Sequence, residues 1–204
     1  MLRTETVADD TLGLLRTLMQ KDYLKEFYLV GGTSLSLQIG HRISIDLDMF
    51  TSTDFDPKEL KMTLEDDFPN FRVELERPNT LITTINDVKV DFIRFKYGFA
   101  HPIVQFDEIR LVNISDIAPM KLDAISGRGK KKDFFDLYFL LEHFSLKEML
   151  DLYQLKYPNV SIFHVIKSMN YFEEAENELN PIILDKKITW NKVKKTIMKE
   201  IQRL

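Results

Sequence analysis

Cysteine is absent from this 204-residue sequence, which excludes disulfide bonds, Cys-ligated zinc and thiol catalysis. No apolar run approaches the ~20 residues of a transmembrane helix and no signal peptide is recognisable, so we expect a cytoplasmic protein without a membrane partner. Glycine and proline number only seven each, and they form no linker or repeat. The net charge of −4 excludes a globally basic protein. Any contact with nucleic acid must therefore come from a local basic patch.

Hydrophobic periodicity divides the chain into a mixed front half and a helical back half, which we assign as parts 1–114 and 115–204. In the front part we predict helices and strands, with strands at 27–30, 43–50, 71–76, 80–85 and 88–95 and helices at 9–24, 33–39 and 57–67. From Ser115 onward only helical spacing occurs, at 115–126, 133–142, 146–155, 161–179 and 188–204. This order predicts an α+β fold with a helical C-terminal half.

Segment 43–50 alternates strictly between apolar and polar residues. On a strand the alternation places Asp46 and Asp48 on one face and buries the apolar residues Ile43, Ile45, Leu47 and Met49 on the other. Asp91 lies on a later predicted strand, and three carboxylates converge if the two strands pair. Ionised carboxylates so close together repel, and a divalent cation such as Mg²⁺ relieves that cost. An Asp-x-Asp pair alone is a weak signal, because it is usually polar surface.

The residues Gly31-Gly32-Thr33-Ser34 follow the predicted buried strand 27–30 and precede a helix. We expect a tight turn there, at which a triphosphate approaches the backbone closely. The helix start would offer N–H groups, and Thr33 and Ser34 would offer hydroxyl groups, to phosphate oxygens. The order of strand, Gly-Gly-Thr-Ser, helix, Asp-x-Asp strand and later Asp is far more restrictive than any one of these parts.

Two blocks of this sequence resemble the AbiEii/AbiGii family of nucleotidyltransferase-like toxins, within the polymerase-beta-like nucleotidyltransferase superfamily. The first block runs from Leu29 to Thr51 and the second from Met120 to Tyr138, with Asp91 between them. The resemblance implies a nucleotidyltransferase-type mixed sheet flanked by helices. It also implies metal-dependent transfer of NMP from an NTP to an acceptor hydroxyl, with the 3′ end of tRNA as acceptor. By the same resemblance, the protein would be a toxin paired with a separately encoded antitoxin.

The resemblance also implies roles for individual residues. Asp46, Asp48 and Asp91 would bind Mg²⁺, and Gly31-Gly32 with Thr33 or Ser34 would hold the nucleotide phosphates. Lys121 matches a family lysine that contacts these phosphates, and Asp136 matches the last essential aspartate. Two alternatives remain for the charged side chains. Asp136 could instead form a salt bridge with Lys121 or Lys132, and Arg42 could bind Asp46, Asp48 or a phosphate, or serve in a structural salt bridge.

Two other functions fit parts of the sequence. A small-molecule nucleotidyltransferase would share the carboxylates but would not need the basic run Lys130–Lys132 or the lysine-rich C-terminal helix. A nucleotide- or RNA-binding module without turnover would keep the glycines and basic patches but would tolerate a broken carboxylate set. The three aspartates are all present, which favours the enzyme.

Overall fold

A computed structural model that describes residues 1–204 divides the chain into two units. Unit 1 comprises Met1–Gly40 and Ser44–Asn113, and unit 2 comprises His41–Ile43 and Ile114–Leu204. The short segment His41–Ile43 belongs to unit 2, although the residues on either side of it belong to unit 1.

Unit 1 contains one mixed sheet of seven strands in the order β3-β4-β5-β2-β1-β7-β6. The strands are β1 Tyr28–Val30, β2 Leu47–Thr51, β3 Phe71–Arg77, β4 Thr80–Ile85, β5 Val88–Arg94, β6 Val104–Phe106 and β7 Ile109–Leu111. β2 pairs parallel with β5 and antiparallel with β1. The helices of this unit are α1 Asp9–Met19, α2 Gly31–Ile39 and α3 Pro57–Asp67. The predicted α+β class with a mixed sheet and flanking helices is confirmed.

The core of unit 1 lies on one face of this sheet and is built from alternate strand residues. Leu29 on β1, Met49 on β2 and Phe92 on β5 are fully buried. The strand register sets them side by side, and neighbouring residues in register share a face of the sheet. α1 adds Leu15 and Leu18, which are also fully buried. The opposite face of β2 and β5 carries Asp48 and Asp91, together with the half-buried Phe50 and Ile93.

Turn residues account for two of the hairpins. Asn86 and Asp87 join β4 to β5 and both have positive φ, 49° and 63°, as the two central residues of a type I′ turn require. The two strands that this turn joins were predicted at 80–85 and 88–95. The hairpin of β6 and β7 was missed, although Asp107 between them also has a positive φ of 50°.

The predicted strand at 43–50 is wrong over its first four residues, since β2 begins at Leu47. Ser44 is buried and Ile45 is 64% exposed, which reverses the expected alternation. Ser44 is drawn inward because its N–H donates to the Thr6 carbonyl oxygen at 2.9 Å and its Oγ lies 2.9 Å from the Thr33 hydroxyl. From Leu47 onward the alternation holds.

Unit 2 is helical, as predicted. Its helices are α4 Ile114–Gly127, α5 Lys131–Leu140, α6 Leu146–Lys156, α7 Ile162–Met169, α8 Glu173–Glu176 and α9 Trp190–Ile201. The predicted helix 161–179 is two helices, α7 and α8. α5 is buried along its whole length, and Phe134 and Phe135 pack against Trp190 at ring distances of 5.7 and 5.8 Å. No helix in the chain combines the length and the apolar character that crossing a membrane requires.

The basic run Lys130–Lys132 is exposed only in part, because Lys130 precedes α5 whereas Lys131 and Lys132 belong to its first turn. Lys131 starts α5 and is buried. Its ammonium donates to the carbonyl oxygen of Glu176 at 3.0 Å and also to that of Glu178. Lys131 therefore links the start of α5 to the α8 region through hydrogen bonds and has a structural role.

A pair of alanine substitutions tests where β2 begins. Leu47→Ala is expected to lower the free energy of unfolding by about 2–5 kcal/mol, because it opens a cavity under a fully buried side chain. Ile45→Ala is expected to change it by no more than about 0.5 kcal/mol, because that side chain is in solvent. Urea denaturation measures both. Equal losses of stability in the two variants would show that Ile45 is buried like Leu47, as the predicted strand 43–50 requires.

Candidate active site

Asp48 and Asp91 are neighbours in the central part of the sheet. The parallel pairing of β2 and β5 sets Asp48 directly beside Asp91, so both side chains project from the face opposite the core. Asp46 precedes Asp48 by two residues, just before β2 begins, and its carbonyl oxygen accepts a hydrogen bond from the Thr33 hydroxyl. The predicted strand pairing of the two aspartate segments is confirmed.

Because Gly31 has no side chain, the Asp48 carboxylate can lie against the N-terminus of α2. A Cβ atom on Gly31 would lie 1.9 Å from Asp48 Oδ2 and 2.8 Å from its Cγ, so no side chain fits between them. Gly31 also has a φ of 70°, which favours glycine. The helix starts at Gly31 itself, so the expected tight turn is made by this one residue with its positive φ, directly between β1 and α2. Its first N–H groups lack acceptors within the helix and favour anions.

The two hydroxyl side chains of this helix start are engaged inside the protein. Thr33 and Ser34 are both buried. Thr33 is held at Ser44 and Asp46, as described above, and Ser34 Oγ accepts from Gln38 Nε2 at 3.1 Å. These contacts fix the first turn of α2 against the segment that carries Asp46.

Asp91 has a cationic partner that the sequence reasoning did not single out. Lys89 Nζ lies 2.7 Å from Asp91 Oδ1 and 2.6 Å from Oδ2. The two residues are two apart on β5 and so share a face, which was the available signal. Carboxylate oxygens of this kind suit Mg²⁺, so the donor chemistry fits the implied metal. No group of three His, Asp or Glu side chains in the chain is already arranged to hold an ion.

A second set of charged residues lies in unit 2 and is centred on Asp136, which is fully buried. The Asp136 carboxylate receives Arg42 Nε at 2.6 Å and an Arg42 terminal nitrogen at 3.1 Å. His41 Nε2 lies 2.8 Å from Oδ1, and Lys121 Nζ lies 2.6 Å from Oδ2. We call these four residues the Asp136 cluster.

Asp133, one turn earlier on α5, continues this network. It receives Lys121 Nζ at 3.3 Å and two guanidinium nitrogens of Arg128, both at 2.9 Å. Lys121 on α4 thus bridges two carboxylates of α5. Such buried charges are tolerated only when they are paired and hydrogen-bonded.

The family was identified by comparison with known proteins. The family described as the nucleotidyl transferase AbiEii toxin of a type IV toxin–antitoxin system matches residues 13–107 and 99–203. The chain belongs to the AbiEii family. The resemblance seen in the sequence is confirmed, and the protein is a nucleotidyltransferase of the toxin type. An uncharacterized protein of Aquifex aeolicus (strain VF5) is 36% identical over 164 residues, which cover 76% of this chain and 77% of that protein.

Solved structures share the fold of this AbiEii-family protein. MenT4, a nucleotidyltransferase toxin of Mycobacterium tuberculosis H37Rv, aligns with a TM-score of 0.60 at 16% identity, over 94% of this chain and 81% of its own. A candidate nucleotidyltransferase from Helicobacter pylori aligns with a TM-score of 0.58 at 17% identity, over 96% and 95% of the two chains. At these identities the similarity establishes the fold.

The residues predicted to form the active site of this AbiEii-family protein fall into two groups. Unit 1 carries seven of them, namely Gly31, Gly32, Thr33, Ser34, Asp46, Asp48 and Asp91. Unit 2 carries Arg42, Lys121 and Asp136, which meet in the Asp136 cluster. The alternative salt bridge between Asp136 and Lys121 is therefore present, and Arg42 forms a structural salt bridge with Asp136. The contact of His41 with Asp136 was missed because the two residues are 95 apart in the chain. Arg128 is only five residues from Asp133, and that spacing was the available signal.

The charges of the Asp136 cluster determine its protonation. Burial by itself raises the pKa of the Asp136 carboxyl, but the charges of Arg42 and Lys121 and the hydrogen bonds from His41 and Arg42 outweigh it. The pKa therefore lies well below its usual range. Burial lowers the pKa of the His41 imidazole, against the opposing pull of Asp136. Its Nδ1 is buried with no hydrogen-bond partner, in keeping with a neutral ring.

Removing the charge of Asp136 is expected to be costly. Asp136→Asn should lower the free energy of unfolding by about 3–5 kcal/mol, because Arg42 and Lys121 stay buried without their counter-charge. Asp151→Asn, in an exposed pair with Lys147, is the matched control. Its free energy of unfolding should stay close to that of the unmodified protein. Urea denaturation of both variants checks this. A small effect at Asp136 would mean that water or another anion replaces it.

The neutral His41 predicts a pH dependence of stability. Because its pKa is lowered by folding, the unfolded chain binds the proton more tightly, and stability falls as pH drops below about 6.5. His41→Gln should flatten the change in melting temperature between pH 7 and pH 5. His143→Gln, at an exposed residue, should leave the slope unchanged. Parallel slopes for all three proteins would show that His41 does not titrate on unfolding.

Proposed function

We propose that this AbiEii-family protein transfers NMP from an NTP to an acceptor hydroxyl, with Mg²⁺ bound by Asp46, Asp48 and Asp91. The observation that carries the proposal is the register that sets Asp48 beside Asp91 on the face of the sheet opposite the core. Like charges directly opposite each other on neighbouring strands destabilise a sheet. Their presence is explained if a cation is part of the working site.

Each group in unit 1 has a part in this reaction. When bound, Mg²⁺ would neutralise the phosphates and favour in-line displacement of pyrophosphate. The first turn of α2, Gly31 to Ser34, holds phosphate oxygens through its N–H groups. Asp91 takes the proton of the attacking hydroxyl. Most of the rate enhancement then comes from positioning and from charge neutralisation.

Lys121, Asp136 and Arg42 have positioning roles in this proposal. The resemblance assigns Lys121 to the nucleotide phosphates, but its ammonium is buried and held by two carboxylates. Asp136 holds His41 and Arg42, and Asp46 follows Arg42 by four residues in the chain. We therefore infer that the cluster acts by fixing the segment His41–Ile43 within unit 2.

For the acceptor we propose the 3′ end of tRNA, and for the biological role the toxin of a pair with a separately encoded antitoxin. The family description names a toxin of a type IV toxin–antitoxin system, and MenT4 is a nucleotidyltransferase toxin. On α9, Lys192, Lys195 and Lys199 line a shallow groove of about 400 Å³. A lysine stripe of this kind attracts a phosphate backbone.

The proposal is tested by incubating the protein with each labelled NTP, Mg²⁺ and total tRNA, and separating the products on a gel. Asp46→Asn and Asp48→Asn should each reduce label transfer by at least about 100-fold, because they remove charge that acts on the reacting phosphates. Asp66→Asn, at an exposed residue of the same unit, is the control and should retain activity. Full transfer by the Asp46 and Asp48 variants would refute the assignment.

A further inference from the structure

One ammonium group contacts both oxygens of the Asp91 carboxylate. Lys89 Nζ lies 2.7 Å from Oδ1 and 2.6 Å from Oδ2. Asp91 itself is buried and its side chain is 12% exposed, while that of Lys89 is 47% exposed. The ammonium therefore covers Asp91 from the solvent side.

Strand register places Lys89 and Asp91 on the face of the sheet that also carries Asp48. Asp46 comes one residue before β2 and lies outside the strand. The Lys89 ammonium therefore lies on the face where the register sets two carboxylates side by side.

We infer that the Lys89 ammonium competes with the divalent cation for the Asp91 carboxylate. In the metal-free protein the ammonium is paired with Asp91, and it moves away when the ion binds. The inference rests on the proposed use of the three aspartates for Mg²⁺. Lysine suits the task because its ammonium is a compact point charge on a flexible stem. A half-exposed side chain is free to move into solvent, whereas a buried one such as Lys121 is not.

The competition has a measurable size. A partly exposed ion pair of this kind corresponds to at most about a fivefold change in an equilibrium constant. The metal must overcome this pair in the unmodified protein but not in Lys89→Met, which keeps the length of the stem and loses the charge. Lys89→Met should therefore bind Mn²⁺ up to about fivefold more tightly. Mn²⁺ is used in place of Mg²⁺ because free Mn²⁺ is visible by electron paramagnetic resonance.

The experiment titrates Mn²⁺ alone, without nucleotide, into the full chain. Lys25→Met, at an exposed residue of the same unit with the same change of net charge, corrects for long-range electrostatics. Asp91→Asn in the Lys89→Met background should abolish the gain, because the carboxylate that was released is then missing. Melting temperatures of all variants verify that each is folded.

The outcomes separate the two ideas. Mn²⁺ affinity of Lys89→Met equal to that of Lys25→Met overturns the competition, and weaker affinity shows instead that Lys89 holds Asp91 in place for the metal. Either result leaves the proposed transfer reaction standing if Asp46→Asn and Asp48→Asn are inactive. Tighter Mn²⁺ binding that needs Asp91, in a protein whose Asp46 and Asp48 variants still transfer NMP, would support the competition and reject the proposed reaction.

Discussion

Parallel pairing of β2 with β5 is the constraint on which the rest of unit 1 depends. β2 is the middle strand of seven, and its partner on one side is β5, more than forty residues away in the chain. One face of this pair buries Met49 and Phe92 and so drives the pairing. On the other face the same register places Asp48 beside Asp91. Hydrophobic burial thus supplies the energy that holds two repelling carboxylates together.

The two units resolve the cost of crowded charge in different ways. In unit 2, Asp136 is fully enclosed and is paired permanently with three cationic or hydrogen-bonding side chains. An unpaired charge in that interior would be too costly, so each charged group of the network is paired. In unit 1, Asp91 is covered by the half-exposed ammonium of Lys89. The first arrangement suits a structural anchor, and the second suits a site that exchanges ions.

Local patterns were enough to predict most elements and the acidic residues, but few of their partners. The helix 57–67 and the strands 80–85 and 88–95 depend on residues close together in the chain, and these predictions hold. The inward turn of Ser44 depends on Thr6 and Thr33, so the alternation around it was misread. Arg42 and Asp136 are separated by 94 residues, and nothing in the local sequence indicates that they meet. The short-range pairs Lys89–Asp91 and Arg128–Asp133 were missed as well, although their spacing was an available signal.

The placement of His41–Ile43 in unit 2 has a consequence for how that unit is assembled. These three residues are synthesised well before Asp136, with which Arg42 is paired, and before Ile183, to which Arg42 bridges. The charge network of unit 2 therefore has to wait until those later residues have been made. A fragment that starts at Ile114 would lack the guanidinium that neutralises Asp136.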